Sequence, residues 1–336
     1  MTDLSIILVN WNCLNFTEQC IGSICATTHD VDYEVIVVDN ASADAPCRVL
    51  VEKFPWMKLV LSEQNIGFGR ANNLGVRHST GRNLLFLNPD TLVLKDALLR
   101  MLTDLRARPK AGAIGCRLFN PDGTLQTTCV QPIPTIFNQI FALDWLQRRW
   151  PSLQLWGKQA LYYNGPDTVH QVDAVSGAAI LVRREVFEEV GGFNPEYFMY
   201  TEEIDLCYAI RRAGWSVMHS SEAKVIHFGG QSSKKCEDGF DDVTMRDSIC
   251  RFFRRTRGSS YAGLYRICLI LSSICRLITV ACVWPFAAMF KQPSKRIYLT
   301  RVFRKWLKIA RWGAGWENSI HRSPKAGPSS ATPAEY

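Results

Sequence analysis

Leu4-Ser5-Ile6-Ile7-Leu8-Val9-Asn10 (LSIILVN) is apolar at adjacent positions as well as alternate ones, so it reads as a strand buried on both faces. Working outward, the same kind of run returns at Tyr33–Asp39 (YEVIVVD), Lys58–Leu61 and Asn83–Leu87 (NLLFL). Between them lie stretches of helical character, Phe16–Ala26 and Phe68–Ser79, with a further one over Asp96–Arg108. Strand and helix in alternation predict an α/β fold with a mainly parallel central sheet and right-handed crossovers. In such sheets ligands bind beyond the carboxyl ends of the strands. That rule marks Asn10-Trp11-Asn12, Asp39-Asn40 and Asn88-Pro89-Asp90, each of which follows a strand.

Beyond Ala113 the rhythm loosens, and residues 120–171, rich in proline and aromatic residues, read as a variable excursion. Order returns over Val172–Arg183, followed by a helix from Arg184, a turn at Gly191-Gly192-Phe193 and a helix over Glu202–Ala213. A strand pair is expected around Trp215–His227, then a polar loop over Gly229–Asp242. The tail from His321, rich in Ser, Pro, Ala and Gly, is expected to be disordered. Met1-Thr2-Asp3 lacks the positive region of a signal peptide. The 12 cysteines are scattered without a CxxC pair, which suits reduced, mostly buried thiols better than a disulfide framework.

The residues at the strand ends suggest chemistry only in combination. Asp39 can hydrogen-bond a base or ribose, but Asp39-Asn40-Ala41-Ser42 alone is a good turn. Asp90 can supply one oxygen to Mg²⁺ or Mn²⁺, which such sites share between carboxylates and substrate phosphates. Asn88-Pro89-Asp90 alone is likewise a turn sequence. Asn65-Ile66-Gly67-Phe68-Gly69-Arg70-Ala71-Asn72-Asn73 carries only two glycines of a dinucleotide fingerprint, with Asn72 where the third belongs, and it follows the third strand. NAD binding is therefore not indicated. A glycine-bearing helix N-terminus with Arg70 beside it can still approach a phosphate.

In order and spacing these segments resemble family 2 glycosyltransferases, in particular the rhamnosyltransferase-like branch. The matching stretches are Ile6–Asn12 (IILVNWN), Val37–Ser42 (VVDNAS), Asn65–Asn73 (NIGFGRANN), Leu85–Thr91 (LFLNPDT), Gly191–Asn194 (GGFN) and Phe198–Cys207 (FMYTEEIDLC), closed by His227 with Gly230 to Ser232. The resemblance spans residues 4–255. It implies a GT-A fold, inverting transfer from a nucleotide-diphosphate sugar, with dTDP-rhamnose as the donor, and a divalent metal, Mn²⁺ or Mg²⁺. It places Asn12, Asp39, Asn65, Gly67, Arg70, Asn72, Asn88 and Asp90 on the donor side, with Asp90 and His227 at the metal. Ser176 and Gly177 resemble a segment beside the acceptor, and Glu202 falls on that side too. The family's base is the Asp of a Glu-Asp pair opening a helix. Here the pair is Glu202-Glu203, so the match puts Glu203 at the base position with one methylene more. Helical spacing sets Glu203 on one face with Leu206, Cys207 and Ile210, whereas capping by Thr201 with acids in the first turn is the structural alternative.

Between Arg251 and Arg311 stand fourteen Lys or Arg and no Asp or Glu, although the whole chain carries only +8. The apolar run Ile267–Phe290 is long enough to cross a bilayer but is interrupted by Arg276 and Pro285, and both of its flanks are basic. Ser272, Arg276 and Thr279 share one helical stripe opposite an apolar face. Residues 261–311 therefore read as helices lying on or partly in an anionic leaflet. The basic residues interleave with aliphatic runs, which argues against a nucleic-acid partner. The resulting division is a catalytic region over residues 1–255, membrane-associated helices over 256–315 and a tail over 316–336. The function expected is sugar transfer to a lipid-linked glycan, in envelope or extracellular polysaccharide synthesis, at the cytoplasmic face of the cell membrane by a peripheral or monotopic protein. The alternative is a catalytically weak homologue that binds nucleotide-sugar or glycan and scaffolds a membrane assembly.

Overall fold

The structure is a computed structural model and describes residues 2–44, 46–140, 149–150, 169–230, 240–289 and 293–316. Much of the excursion expected over 120–171, most of the polar loop after Gly229 (with Ser232) and the tail from His321 lie outside the described residues.

The first strands fall where the apolar runs are: β1 (Leu4–Asn10), β2 (Tyr33–Asp39), β3 (Lys58–Leu61) and β4 (Asn83–Leu87), with α1 (Leu14–Thr27), α2 (Arg48–Lys53) and α3 (Phe68–Arg77) between them. After β4 come β5 (Thr91–Val93), α4 (Ala97–Arg106), β6 (Ala111–Phe119), β7 (Val130–Gln131) and α5 (Ile136–Ile140). Next are β8 (Val169–Val172), β9 (Ala174–Val175), β10 (Ala179–Arg183), α6 (Arg184–Glu189), α7 (Glu202–Arg212) and β11 (Ser216–His227). Three helices close the chain: α8 (Phe240–Arg257), α9 (Ser259–Met289) and α10 (Pro293–Gly313).

The main sheet runs β3-β2-β1-β4-β10-β6-β11-β5, and β8 pairs with β11. β10, β5 and β8 run against the other strands, which share one direction. Every residue of β1 is buried, as its unbroken apolar run requires. Ile7 and Val9 enter one core layer with Ile36, Val38, Leu84 and Phe86, while Leu4, Ile6 and Leu8 enter the other with α1 and α4. The first layer continues into α8, α9 and α10 through Phe252, Phe253, Tyr265, Leu269, Trp306 and Ile309.

Three features differ from the sequence reading. The strand pair expected around Trp215–His227 is one strand, β11, whose register against β6 shifts after Ser220, so an irregularity rather than a turn breaks the pattern. Val172–Arg183 is divided among the end of β8, β9 and β10. β6 was not anticipated although it is central, because Gly112, Gly115 and Arg117 dilute its apolar signal. Its glycines are required by packing: a Cβ on Gly115 would stand 2.6 Å from Val175 Cβ.

Phe86 is fully buried, with ring centroids of Phe187 at 5.0 Å and Phe193 at 4.8 Å. Phe86→Ala should cost about 3–5 kcal/mol of unfolding free energy, read from the denaturant midpoint. A loss below about 1 kcal/mol would mean that this aromatic cluster does not anchor the sheet.

Candidate active site

The chain leaves β1 → β2 → β3 to one side and returns to place β4 on the other flank of β1. The strand order therefore reverses between β1 and β4, the position where open α/β sheets bind ligands. A cavity of about 250 Å³ lies there. Val9 and Trp11 line it from the end of β1, Asn88, Pro89 and Asp90 from the end of β4, Ser176 and Gly177 from the turn before β10, and Glu202 and Glu203 from the start of α7.

One end of the cavity is fixed by strand register. His227, the last residue of β11, pairs with Thr91, the first of β5, and Phe228 N donates to Asp90 O at 2.9 Å. This pairing brings residues 137 positions apart together: His227 Nε2 is 3.4 Å from Asp90 Oδ1 and 3.3 Å from Asn88 Nδ2. Both side chains are largely buried, at 15% and 8% exposure. Among the described residues no set of three His, Cys, Asp or Glu converges. A carboxylate and an imidazole nitrogen side by side at a cavity wall nevertheless fit a divalent ion that takes its remaining ligands from phosphate and water.

The other end is held by strained backbone. Tyr200 and Thr201 have φ of 68° and 71° without being glycine, a conformation that costs on the order of 1–3 kcal/mol each. Thr201 makes no side-chain capping bond, so the capping alternative for this helix start is not what the structure contains. The strained turn delivers Glu202 and Glu203 into the cavity wall instead. Glu203 Oε1 accepts from Gln131 Nε2 at 3.0 Å. Burial pushes the Glu203 carboxyl up, and the Gln131 bond works against that shift. Glu202 is 4% exposed, and among the described residues its Oε2 has no hydrogen-bond partner. Burial first, and the neighbouring Glu203 second, push it well above the usual carboxylate range. Gly177 leaves room beside the longer glutamate, since a Cβ there would meet Glu203 Cβ at 3.3 Å. Asp205, on another face of α7, is paired with Arg255.

The remaining residues expected on the donor side divide into two groups. Asn65, Asn88 and Asp90 line the cavity, and Asn65 Oδ1 accepts from Asn40 Nδ2 at 2.8 Å. Asn12, Asp39, Gly67, Arg70 and Asn72 do not line it. Asp39 Oδ1 accepts from Asn10 Nδ2 and Ser42 N, and Asn12 Oδ1 accepts from Ala43 N, so both organise the loops after β1 and β2. Gly67 is a structural requirement, because at its φ of 84° a Cβ would lie 2.3 Å from Phe198 O. Two of these residues turn to protein partners. Asn72 is 1% exposed and donates to Phe68 O inside α3. Arg70 Nε donates to Pro195 O at 2.7 Å, and Arg70 lines a separate cavity. Trp11 and Asn40, marked by the sequence only as strand-end positions, also line the cavity, and so do Met199 and Tyr200, which the sequence carried within a motif but gave no role. Gln131 behind Glu203 was missed. β7, which carries Gln131, is two residues long and has no periodicity to detect.

A cavity at the switch point of this sheet, walled by Asp90 and His227 at one end and two carboxyls at the other, is the arrangement of a glycosyltransferase of the GT-A fold. Solved structures of similar shape are a mannosyltransferase from Pyrobaculum calidifontis in complex with GDP-Man and Mn²⁺, at TM-score 0.56, 17% identity, 94% of this chain and 89% of that one. Another is GalNAc-T7 with UDP, GalNAc and Mn²⁺, at TM-score 0.52, 14% identity, 68% of this chain and 44% of that one. The profile of glycosyl transferase family 2 matches residues 5–191, and the chain belongs to that family. Among its relatives are an N-acetylglucosaminyl-diphospho-decaprenol L-rhamnosyltransferase of Mycobacterium tuberculosis, 27% identical over 69% of this chain and 78% of the relative. The rhamnosyltransferase WbbL of Escherichia coli is 27% identical over 68% of this chain and 84% of the relative.

Because Glu202 holds its proton more tightly folded than unfolded, its stabilising contribution is complete below its unfolded value near 4.5 and is lost as pH rises through the higher folded value. Glu202→Gln has no proton to lose. It should melt above the parent near neutral pH, with the advantage shrinking as pH falls toward 4.5. Thermal unfolding across that range measures it, and a pH-independent difference would refute the assignment.

Proposed function

We propose that this glycosyltransferase moves a sugar, with inversion, from a nucleotide-diphosphate donor, for which we take dTDP-rhamnose, to a hydroxyl of a lipid-linked saccharide; rhamnosyltransferases among its relatives support the choice of sugar. The observation that carries the reading is the single cavity joining Asp90 and His227 to Glu202 and Glu203. A divalent metal held by Asp90 and His227 would neutralise the diphosphate as it leaves. Asn65 and Asn88 line the donor side, and Ser176, Gly177 and Glu202 face the acceptor. The acceptor oxygen attacks the anomeric carbon, the bond from that carbon to the phosphate oxygen breaks, and the hydroxyl proton passes to Glu203. A carboxyl raised by burial is the better proton acceptor while ionised, and Gln131 helps keep it so. Glu202, pushed toward its protonated form by burial and by Glu203, has no partner for Oε2 among the described residues, whereas Glu203 accepts from Gln131, so we assign the negative charge at that end of the cavity to Glu203.

Glu203→Gln should lower nucleoside diphosphate release from dTDP-rhamnose, Mn²⁺ and a lipid-linked acceptor by about 10²–10⁴-fold while nucleotide binding persists. Loss in Glu202→Gln with Glu203→Gln still active would reverse the assignment. Absence of turnover in the folded parent with every donor tried would favour a binding role for the chain.

The C-terminal helices support the proposed placement on a membrane surface, which we take to be the cytoplasmic face. The most apolar 18-residue window of Ser259–Pro285 has a mean hydropathy of 2.2, yet only 17% of that window is buried, which distinguishes it from a core helix. Leu264, Ile267, Leu271, Ile274 and Ile278 form one stripe, each between 44 and 58% exposed. The polar interruption turns the other way: Arg276 donates to Ile140 O at 3.2 Å and lies 4.1 Å over the Trp306 ring. Exposed Ile297, Tyr298, Phe303 and Trp316, with Arg301 and Arg304, extend the apolar and basic surface on and after α10. A helix packed on one side and apolar on the other lies in a leaflet rather than across it, and the basic residues select anionic lipid. The full chain should co-sediment with phosphatidylglycerol vesicles, and Leu271→Glu with Ile278→Glu should abolish this without shifting the melting temperature. Unchanged sedimentation of that variant would exclude the stripe as the docking face.

A further inference from the structure

We propose that Gln126 is a positioning residue that locks His227 in the Nδ1–H tautomer, so that Nε2 presents its lone pair beside Asp90. The inference rests on the reading of Asp90 and His227 as metal-holding residues. It concerns a side chain outside the cavity wall, in a segment whose sequence carried no signal.

The orientation of the Gln126 amide is fixed by its own partners. Its Nε2 donates to His227 O at 2.6 Å and to Asn120 Oδ1 at 2.8 Å, both obligate acceptors. Asn120 is oriented in turn, because its Nδ2 donates to Thr124 Oγ1 at 2.8 Å, and the Thr124 hydroxyl donates to Asp122 Oδ1 at 2.6 Å. Turning the Gln126 amide over would face oxygen to oxygen twice. Oε1 is therefore the atom that meets the ring, 3.0 Å from Nδ1. A carbonyl oxygen only accepts, so the ring proton is on Nδ1.

The consequence falls at the opposite ring nitrogen. A histidine that ligates a metal is neutral and offers one lone pair, and the hydrogen bond made by its other nitrogen decides which. With the proton on Nδ1, that lone pair is on Nε2, which faces Asp90 Oδ1 at 3.4 Å and can accept from Asn88 Nδ2. Two electron-rich atoms at that separation are suited to a cation between them. The other tautomer would aim an N–H at the carboxylate and occupy the position with a hydrogen bond.

The brace travels with the sheet. Gln126 N donates to Leu118 O at 2.9 Å, and Phe119 bridges Leu125, so the turn after β6 folds back on its own strand. Phe119 pairs in register with Ile226, next to His227. One amide thus holds both the backbone carbonyl and the ring of the same histidine, fixing position and tautomer together.

Long-range ¹H–¹⁵N correlation spectra of the full chain, with the His227 signals assigned by comparison with His227→Gln, report the tautomer directly. Mn²⁺ affinity in saturating dTDP, read from the free Mn²⁺ resonance, reports its purpose. The parent should show Nδ1–H. Gln126→Leu should lose that preference and bind Mn²⁺ about 10–100-fold more weakly, with dTDP affinity without metal unchanged. Nε2–H in the metal-free parent overturns the proposal without recourse to a variant, as does Mn²⁺ affinity unaltered in Gln126→Leu. A parent that binds dTDP but no Mn²⁺ instead overturns the metal reading on which the proposal rests.

Discussion

Parallel pairing of β1 with β2 on one side and β4 on the other is the constraint on which the site depends. Leu8 stands opposite Leu87 and Asn10 opposite Asp39, so three loops leave the sheet at nearly one level. The crevice between the β1 and β4 loops follows from topology, since no crossover helix fills the position where the strand order reverses. β10, antiparallel against β4, then delivers Ser176 and Gly177 to the same edge, and Asn88 N donates to Ala178 O at 2.9 Å to seal the two loops together.

The two ends of the cavity are built by different means, in keeping with different tasks. Asp90 and His227 are set by strand register and braced by amides, which suits the fixed geometry that the proposed role beside a charged leaving group would need. Glu202 and Glu203 come from a helix start preceded by two non-glycine residues of positive φ. That strain is sustained by surrounding contacts: Tyr200 OH donates to Asp241 Oδ1 at 2.6 Å, and Phe68 N donates to Phe198 O at 2.9 Å. The glycine at position 67 is part of the same arrangement, because only a residue without Cβ lets the loop before α3 approach Phe198 so closely. The resemblance in the Asn65–Asn73 segment thus reports a packing requirement as much as a ligand contact.

The last three helices belong energetically to the catalytic core on one side and face outward on the other. Trp306 and Ile309 sit in the same apolar layer as Phe252 and Phe253, which in turn reach α7 through Tyr208. Arg255 pairs with Asp205 on α7 itself. The exposed stripe on α9 is therefore connected to the helix carrying Glu203 by packed side chains, so the outward apolar surface and the candidate cavity share one support.

The sequence by itself determined β1, β2 and β4, because side chains buried on both faces leave an unbroken apolar run. It also determined that Asn88–Asp90 and Glu202–Glu203 stand at element boundaries, and the family to which those motifs belong. Only the tertiary structure decided which of the motif residues meet the cavity. Asn72 and Arg70 lie in the motif yet turn to the body of α3 and to Pro195 O, because a helix gives each position a fixed direction that a motif does not record. Gln126 and Gln131 carry no signal of their own, since their roles come from partners 101 and 72 residues away. Contacts of that range are set by sheet register, which one-dimensional periodicity does not contain.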